Sequence, residues 1–387
     1  MPAGARVSRD RIMPVPPACA DATGALVSAL LGALDRVEWV QRYLFPPRAP
    51  RLAEQLTPHA ERLAGPLRAF EAQEWPDDLR FLRERLVRVT GQALELIAAF
   101  ATAAEAGEPI DLYRALRRFA PLQEALYPLC PVLNPVSRWF LEPERRDDDG
   151  LVARLHDAAL REDGARVGVL HARNDRGERG GLSLYVPETW DGRSPAPLVV
   201  ALHGGSGHGR DFLWSWLREG RARGVLVLAP TAVDRTWSIM GGEDVDAPRL
   251  RGAVEEVAAR YAVDRSRVLL TGMSDGATYA LLCGLGDGMP FTHLAPAGGV
   301  LHPFLLARGG IEGARGRPIY LVHGALDWMF PVETARMGRQ ALEAAGARVV
   351  YREVEDLSHT YPRDENPRIL DWLVGPVTPA GVPPRSG

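Results

Sequence analysis

Residues 266 to 285 constrain the fold of this chain more than any other stretch. An apolar run ending at Thr271 meets Gly272-Met273-Ser274-Asp275-Gly276, and a helix-forming run from Ala277 to Leu285 follows. That order is a strand, a sharp turn and a helix, with a serine at the apex. A turn this tight forces the serine into strained backbone, and the glycine two residues away on either side leaves room for it. The hydroxyl then stands clear of a sheet edge at the N-terminus of a helix. G-x-S-x-G recurs by chance in a chain with 39 glycines, so the flanking strand and helix carry the reading.

Composition narrows the chemistry that such a turn can host. The 387 residues are enough for one large domain and a smaller one. With 46% hydrophobic and 25% charged residues and a net charge of −3, the chain is globular in composition and lacks the basic footprint of a nucleic-acid binder. All 46 positive charges are arginine. The absence of lysine excludes a Schiff base, a phosphate-loop lysine and a Ser-Lys dyad, so a nucleophilic serine here needs another base. Cys19, Cys130 and Cys283 are few and scattered, which suits a reducing compartment. The three prolines between Arg11 and Pro17 argue against a signal peptide, and no window reaches roughly 18 uninterrupted apolar residues. No membrane span and a cytoplasmic location are therefore expected.

Residues 1–20 read as a flexible tail. Residues 21–145 read as an all-α domain without strand signals. Leu26, Leu30, Leu34 and Val37 recur at helical spacing, and a second helix over Leu52 to Phe70 is interrupted by Pro58 and Pro66. The clearest helix runs from Leu79 to Phe100, introduced by Pro76, Asp77 and Asp78 and stopped by Gly107 and Pro109. Its three-four seam is expected to pack against its own neighbours. A homodimer through the same helical domain is the other use of that seam. A further helix over Leu112 to Ala120 is expected to end at Pro121, and a helix near Leu151 to Leu160 follows a proline-rich and then a charged passage. Asp147 to Asp149 read as a linker or helix N-terminus, not as metal ligands.

Residues 146–375 change in pattern. Runs at 166–171 and 182–187 flank Asn174-Asp175-Arg176-Gly177 and predict a hairpin. Apolar runs at 198–202, 225–229, 268–271, 299–301, 319–322 and 349–354 then alternate with helical stretches. The predicted fold class is α/β: a mostly parallel sheet with an antiparallel start, flanked by helices. Chemistry in such sheets sits beyond the carboxyl ends of the strands. There the chain places His203-Gly204-Gly205, then Ser274, then His323-Gly324-Ala325-Leu326-Asp327-Trp328, then Ser358-His359. Residues 376–387 read as a second tail.

On these residues the region from about Val167 to Leu373 resembles the α/β-hydrolase superfamily, in the branch of carboxylesterases, phospholipase/carboxylesterase-like enzymes, feruloyl esterases and polyester depolymerases. Leu202-His203-Gly204-Gly205 resembles the family's oxyanion loop. Asp264 to Gly276 resembles its nucleophile approach, Val322 to Asp327 with Pro331 its acid loop, and His359 its histidine. The resemblance implies a serine esterase with Ser274 as nucleophile, His359 as base and Asp327 as the acid that orients it. It also implies an oxyanion hole from the N–H groups of Gly205 and Asp275, and no cofactor or metal. Asp275 departs from the family pattern, where a neutral residue is commoner, and is expected to disfavour anionic substrates.

Competing readings accompany these. Asp356 is a second acid close to His359. His203 with His208 would suggest a metal, but a glycine-rich loop is a poor rigid scaffold. Trp214, Trp216, Trp237 and Trp328 fall near strand ends, with Trp237 and Trp328 taken as the substrate-binding pair. A serine peptidase or thioesterase would use the same triad, and a non-catalytic binding protein would carry a broken one.

Overall fold

The computed structural model describes residues 15–161, 166–307 and 309–375. The expected terminal tails at 1–14 and 376–387 lie outside the described residues. Residues 17–20, expected in the first tail, instead open a helix.

The N-terminal part is built of helices α1 (Pro17–Arg42), α2 (Ala49–Leu56), α3 (Pro58–Glu71), α4 (Arg80–Ala106), α5 (Pro109–Leu116), α6 (Phe119–Leu126), α7 (Asn134–Trp139) and α8 (Asp149–Ala159). The prolines explain most of the boundaries. Pro58 and Pro109 occupy first positions, where a missing N–H leaves no bond unmade. Pro121 was expected to stop a helix but lies in the first turn of α6, where the same reasoning tolerates it. The left-handed Gly107, with φ 75°, terminates α4. Asp148 caps α8 by accepting from the Leu151 N–H at 2.8 Å.

The seam of α4 is internal. Leu86, Val89, Ala93, Leu96 and Phe100 are at most 1% exposed, so they pack against the chain's own helices. By length and mean hydropathy, Pro17–Arg42 and Asp77–Ala106 are apolar enough to cross a membrane. The expectation of no such segment holds only for uninterrupted runs. In this structure the apolar stripes of both helices face the core.

The rest of the chain forms β1 (Gly168–Ala172), β2 (Leu182–Val186), β3 (Ala196–Leu202), β4 (Leu226–Pro230), β5 (Val263–Met273), β6 (His293–Ala297), β7 (Pro318–Gly324) and β8 (Arg348–Val354). Between them run α9 (Gly209–Phe212), α10 (Leu217–Arg223), α11 (Asp246–Arg260), α12 (Asp275–Gly284), α13 (Pro303–Ala307), α14 (Val332–Ala344) and the terminal α15 (Asn366–Val374). One eight-stranded sheet has the order β1-β2-β4-β3-β5-β6-β7-β8. β2 is antiparallel to both neighbours and the remaining pairs are parallel. This is the architecture expected from the resemblance. One strand is displaced from its expected place: β6 is His293–Ala297, and residues 299–301 belong to the loop beyond it.

Alternation along the strands divides the core in two. Leu198, Val200, Leu226, Leu228, Val268 and Leu270 face α11 and α12. Val199, Ala201, Val227, Ala229, Leu269 and Val322 face the other way and share a continuous apolar cluster with the helical part. Helical part and sheet therefore bury one surface between them. The chain steps outward from β3 to β4 and then back across β3 to β5, which makes the gap beyond the carboxyl ends of β3 and β5 a topological switch point.

Candidate active site

Ser274 follows β5 directly and is the N-cap residue of α12. Its backbone lies at φ 58°, ψ −120°, a strained region that persists only where the surroundings over-determine it. The two glycines show how. A Cβ on Gly272 would lie 2.6 Å from the Gly276 carbonyl, and one on Gly276 would lie 2.5 Å from the carbonyl oxygens of both Leu202 and His203. The turn is folded onto itself and pressed against the end of β3. The Ser274 N–H donates to the Ala297 carbonyl at 3.1 Å, which ties the turn to β6 as well.

His359 arrives on the loop after β8. Its Nε2 is 3.0 Å from Ser274 Oγ, and its Nδ1 is 2.9 Å from Asp327 Oδ2 on the loop after β7. A carboxylate accepts, so Nδ1 carries the hydrogen in that bond and Nε2 is left to accept from the serine hydroxyl. The other Asp327 oxygen accepts from the Met329 and Phe330 N–H groups at 3.0 and 2.8 Å. His323 packs behind it, donating from Nε2 to the Phe330 carbonyl at 2.8 Å. The competing acid, Asp356, is instead half-exposed and pairs with Arg42 at 2.8 Å.

The loop after β3 lies against the serine, since a Cβ on Gly204 would sit 3.4 Å from Ser274 Cβ. His203 holds the root of that loop. Its Nε2 accepts from the Ala232 N–H at 3.1 Å, so Nδ1 bears the hydrogen and donates to the Gly204 carbonyl at 2.7 Å. Burial pushes the imidazole down to about 3, which keeps it neutral in the tautomer that both bonds require. Asp275 is the first residue of α12, so its N–H is among the helix-terminal donors with no intrahelical acceptor. Its carboxylate lies over the same loop. Thr236 donates to Oδ2 at 2.6 Å, and a Cβ on Gly205 would approach that oxygen to 2.5 Å.

The tryptophans separate sharply. Trp237 is 2% exposed, stacks on Tyr279 and donates its indole N–H to the His203 carbonyl at 2.7 Å. Committed to the backbone beneath the loop after β3, it has no surface to offer a substrate, which corrects the expected pocket role. Trp214 and Trp216 are likewise buried, between sheet and helical part. Trp328 is 42% exposed at the rim.

Two further residues reach the site, both from the helical part. Tyr113 Oη donates to the His359 carbonyl at 3.0 Å and accepts from the Trp328 indole at 3.3 Å. Arg117 donates to the Ser206 carbonyl at 3.1 Å and the Gly205 carbonyl at 3.4 Å. These contacts span 88 to 246 positions of sequence, and no local signal marks them. His208 does not join His203 at a metal: its Nε2 meets the Glu178 carbonyl at 2.9 Å and its Nδ1 accepts from the Arg210 N–H at 3.1 Å. Among the described residues no group of three or more His, Cys, Asp or Glu is placed to hold a metal ion.

No family model and no curated protein matches this chain. Solved structures similar to it include a thermostable esterase at 22% identity and TM-score 0.43, which covers 53% of this chain; the chain spans 61% of that protein's length. Esterase 2 of Thermogutta terrifontis, phosphorylated by paraoxon, is similar at 19% identity and TM-score 0.42, over 55% of this chain and 94% of that one. A substrate-bound, fluorophosphonate-binding serine hydrolase of Staphylococcus aureus is similar at 14% identity and TM-score 0.44, over 54% and 98%. Identities and scores this low leave the chemistry to be argued from the site itself.

Proposed function

We propose that the protein is a serine esterase that hydrolyses carboxylic esters through an acyl-enzyme intermediate. The observation that carries this reading is the connected series Ser274 Oγ, His359 and Asp327, at 3.0 and 2.9 Å, assembled from three separate strand-end loops. A serine hydroxyl is a weak nucleophile unless a base takes its proton as it attacks. His359 Nε2 takes that proton while Oγ bonds to the acyl carbon, and Asp327 stabilises the imidazolium that forms. The oxyanion develops between the N–H groups of Gly205 and Asp275, the second at the positive end of α12. Collapse of the intermediate breaks the bond to the alcohol oxygen, which takes the proton back from His359. Water then attacks the acyl-enzyme with His359 again as base, releasing the acid and restoring Ser274.

Trp328, exposed beside Asp327, is the aromatic available to line an acyl or aryl group. The Asp275 carboxylate beside the oxyanion loop disfavours substrates that carry a negative charge near the scissile carbonyl.

A p-nitrophenyl acyl ester series, read with the wild type and Ser274→Ala, tests this proposal. The expected outcome is turnover by the wild type that falls by about four or more orders of magnitude in the variant. Turnover that survives the substitution would remove Ser274 from the mechanism. Turnover of thioesters or peptides in place of esters would keep the triad and change the substrate.

A further inference from the structure

One short helix of the helical part, α5, touches the site at two points. Tyr113 and Arg117 are four residues apart, so their side chains leave α5 and its C-terminus on the same face. Leu112, Ala115 and Leu116 of the same helix are each at most 5% exposed, which anchors α5 in the helical core. The contacts of Tyr113 and Arg117 fall on different loops, and neither makes contact with a reacting atom.

We propose that α5 is a built-in wall of the active site on which Tyr113 and Arg117 are positioning residues, Tyr113 for the acid and histidine loops and Arg117 for the oxyanion loop. This inference rests on the serine-esterase reading above.

Tyr113 Oη uses both of its hydrogen-bonding capacities. It donates to the carbonyl of His359 itself and accepts from Trp328, the residue after Asp327. One hydroxyl thus joins the backbone that carries the base to the loop that carries the acid, and it fixes the separation of the two. Burial, with the Asp327 charge acting in the same direction, raises the phenol to about 12, so it remains a donor at any pH where His359 works as a base.

Arg117 grips two successive carbonyls, those of Gly205 and Ser206. Ser206 holds φ 54° and, like Ser274, is a non-glycine residue on the strained side of backbone space. The planar guanidinium presents its donors to two neighbouring acceptors in a rigid fork, whereas an ammonium is a compact charge on a more flexible stem. It fixes the peptide planes that follow the Gly205 N–H, and an oxyanion donor is useful only when it is aimed in advance. Arg117 is exposed, so solvent screens its charge and its effect is on geometry more than on stability.

The test uses the full chain in four variants: Tyr113→Phe, Arg117→Met, Arg117→Lys and, as a control on the same helix, Arg114→Gln, whose side chain is 73% exposed. The readouts are kcat and KM on the best ester, the rate of labelling by a fluorophosphonate, and the melting temperature. Tyr113→Phe and Arg117→Met are each expected to lower kcat and the labelling rate about tenfold with KM nearly unchanged, since small misplacements of reacting groups act on the transition state. Arg117→Lys is expected to recover part of the loss, and Arg114→Gln to match the wild type. Wild-type kcat in both Tyr113→Phe and Arg117→Met would overturn the proposal. So would losses fully accounted for by a smaller folded fraction at the assay temperature. A wild type that neither labels nor turns over would overturn the esterase reading and this one together.

Discussion

The loops after β3, β5, β7 and β8 supply every reacting group of the candidate site, whereas α5 meets three of those loops through side-chain hydrogen bonds and brings no reacting group. In the sheet, the candidate site is held by local strain: Ser274 at positive φ, two glycines with no space for a Cβ, and a carboxylate gripped by the N–H groups of its own loop. From the helical part, α5 reaches across with long side chains and settles on peptide carbonyls. The polar attachment of the two parts rests mainly on ion pairs instead. Arg221 is 3% exposed and joins Glu188 at 2.9 Å to the Ser137 carbonyl of α7 at 2.6 Å. Arg218 and Arg363 share Glu38 of α1 at 2.7 and 2.9 Å. The serine turn is therefore a tight local motif, while the contacts of α5 join residues far apart in the chain.

The serine turn is expected to be far less tolerant of an added methyl than the helices. Gly276→Ala drives a Cβ into backbone oxygen at 2.5 Å, and we expect a loss of about 3 kcal/mol or more by chemical unfolding. Gly91→Ala in α4, where a Cβ meets nothing within 4 Å, is expected to stabilise by about 0.5–1 kcal/mol. Equal effects at the two sites would mean that the turn is not over-determined.

The attachment is expected to matter about as much. Arg221→Met leaves the largely shielded Glu188 carboxylate without its cation, beside the hydroxyls of Tyr127 and Tyr185, both at 2.5 Å. Removing one partner of such a pair typically costs about 3–5 kcal/mol. Because the two parts share one apolar cluster, the destabilised variant is expected to unfold in a single calorimetric transition. Two separate transitions would show the parts to be independent.

The smallest effects concern pH, and they carry opposite signs. Burial lowers His203 to about 3, so the folded state binds fewer protons than the unfolded one below the ordinary histidine value. Stability from this residue is present above about pH 6.5 and is lost as pH falls toward 3. Burial raises Glu219 on α10 to about 7, so the folded state binds more protons there. Its contribution is complete below about pH 4.5 and is lost as pH rises through 7. Glu219→Gln is therefore expected to gain about 1–2 kcal/mol over the wild type at pH 8 and almost nothing at pH 4. A gain that is the same at both pH values would contradict the assignment.

Much of the sheet half was legible because strong apolar runs, glycine turns and strand-end residues are local signals. His293-Leu294-Ala295-Pro296-Ala297 escaped because it contains no β-branched residue, while Gly299-Val300-Leu301 beside it has the look of a strand. Pro121 misled because a proline in a first turn reads like a stop. Trp237 and Trp328 looked alike as aromatics near strand ends, and only burial separates a brace from a rim residue. Tyr113 and Arg117 had no signal at all, since a polar pair at helical spacing is also what an ordinary solvent face presents.

The proposed chemistry stands or falls with Ser274 as an activated nucleophile. Mass spectrometry of the full chain after brief treatment with a fluorophosphonate, with peptide mapping of the adduct, tests this. One adduct per chain is expected on Ser274, absent in Ser274→Ala and formed far more slowly in His359→Ala. An adduct on another residue, or labelling of Ser274→Ala at the wild-type rate, would contradict it.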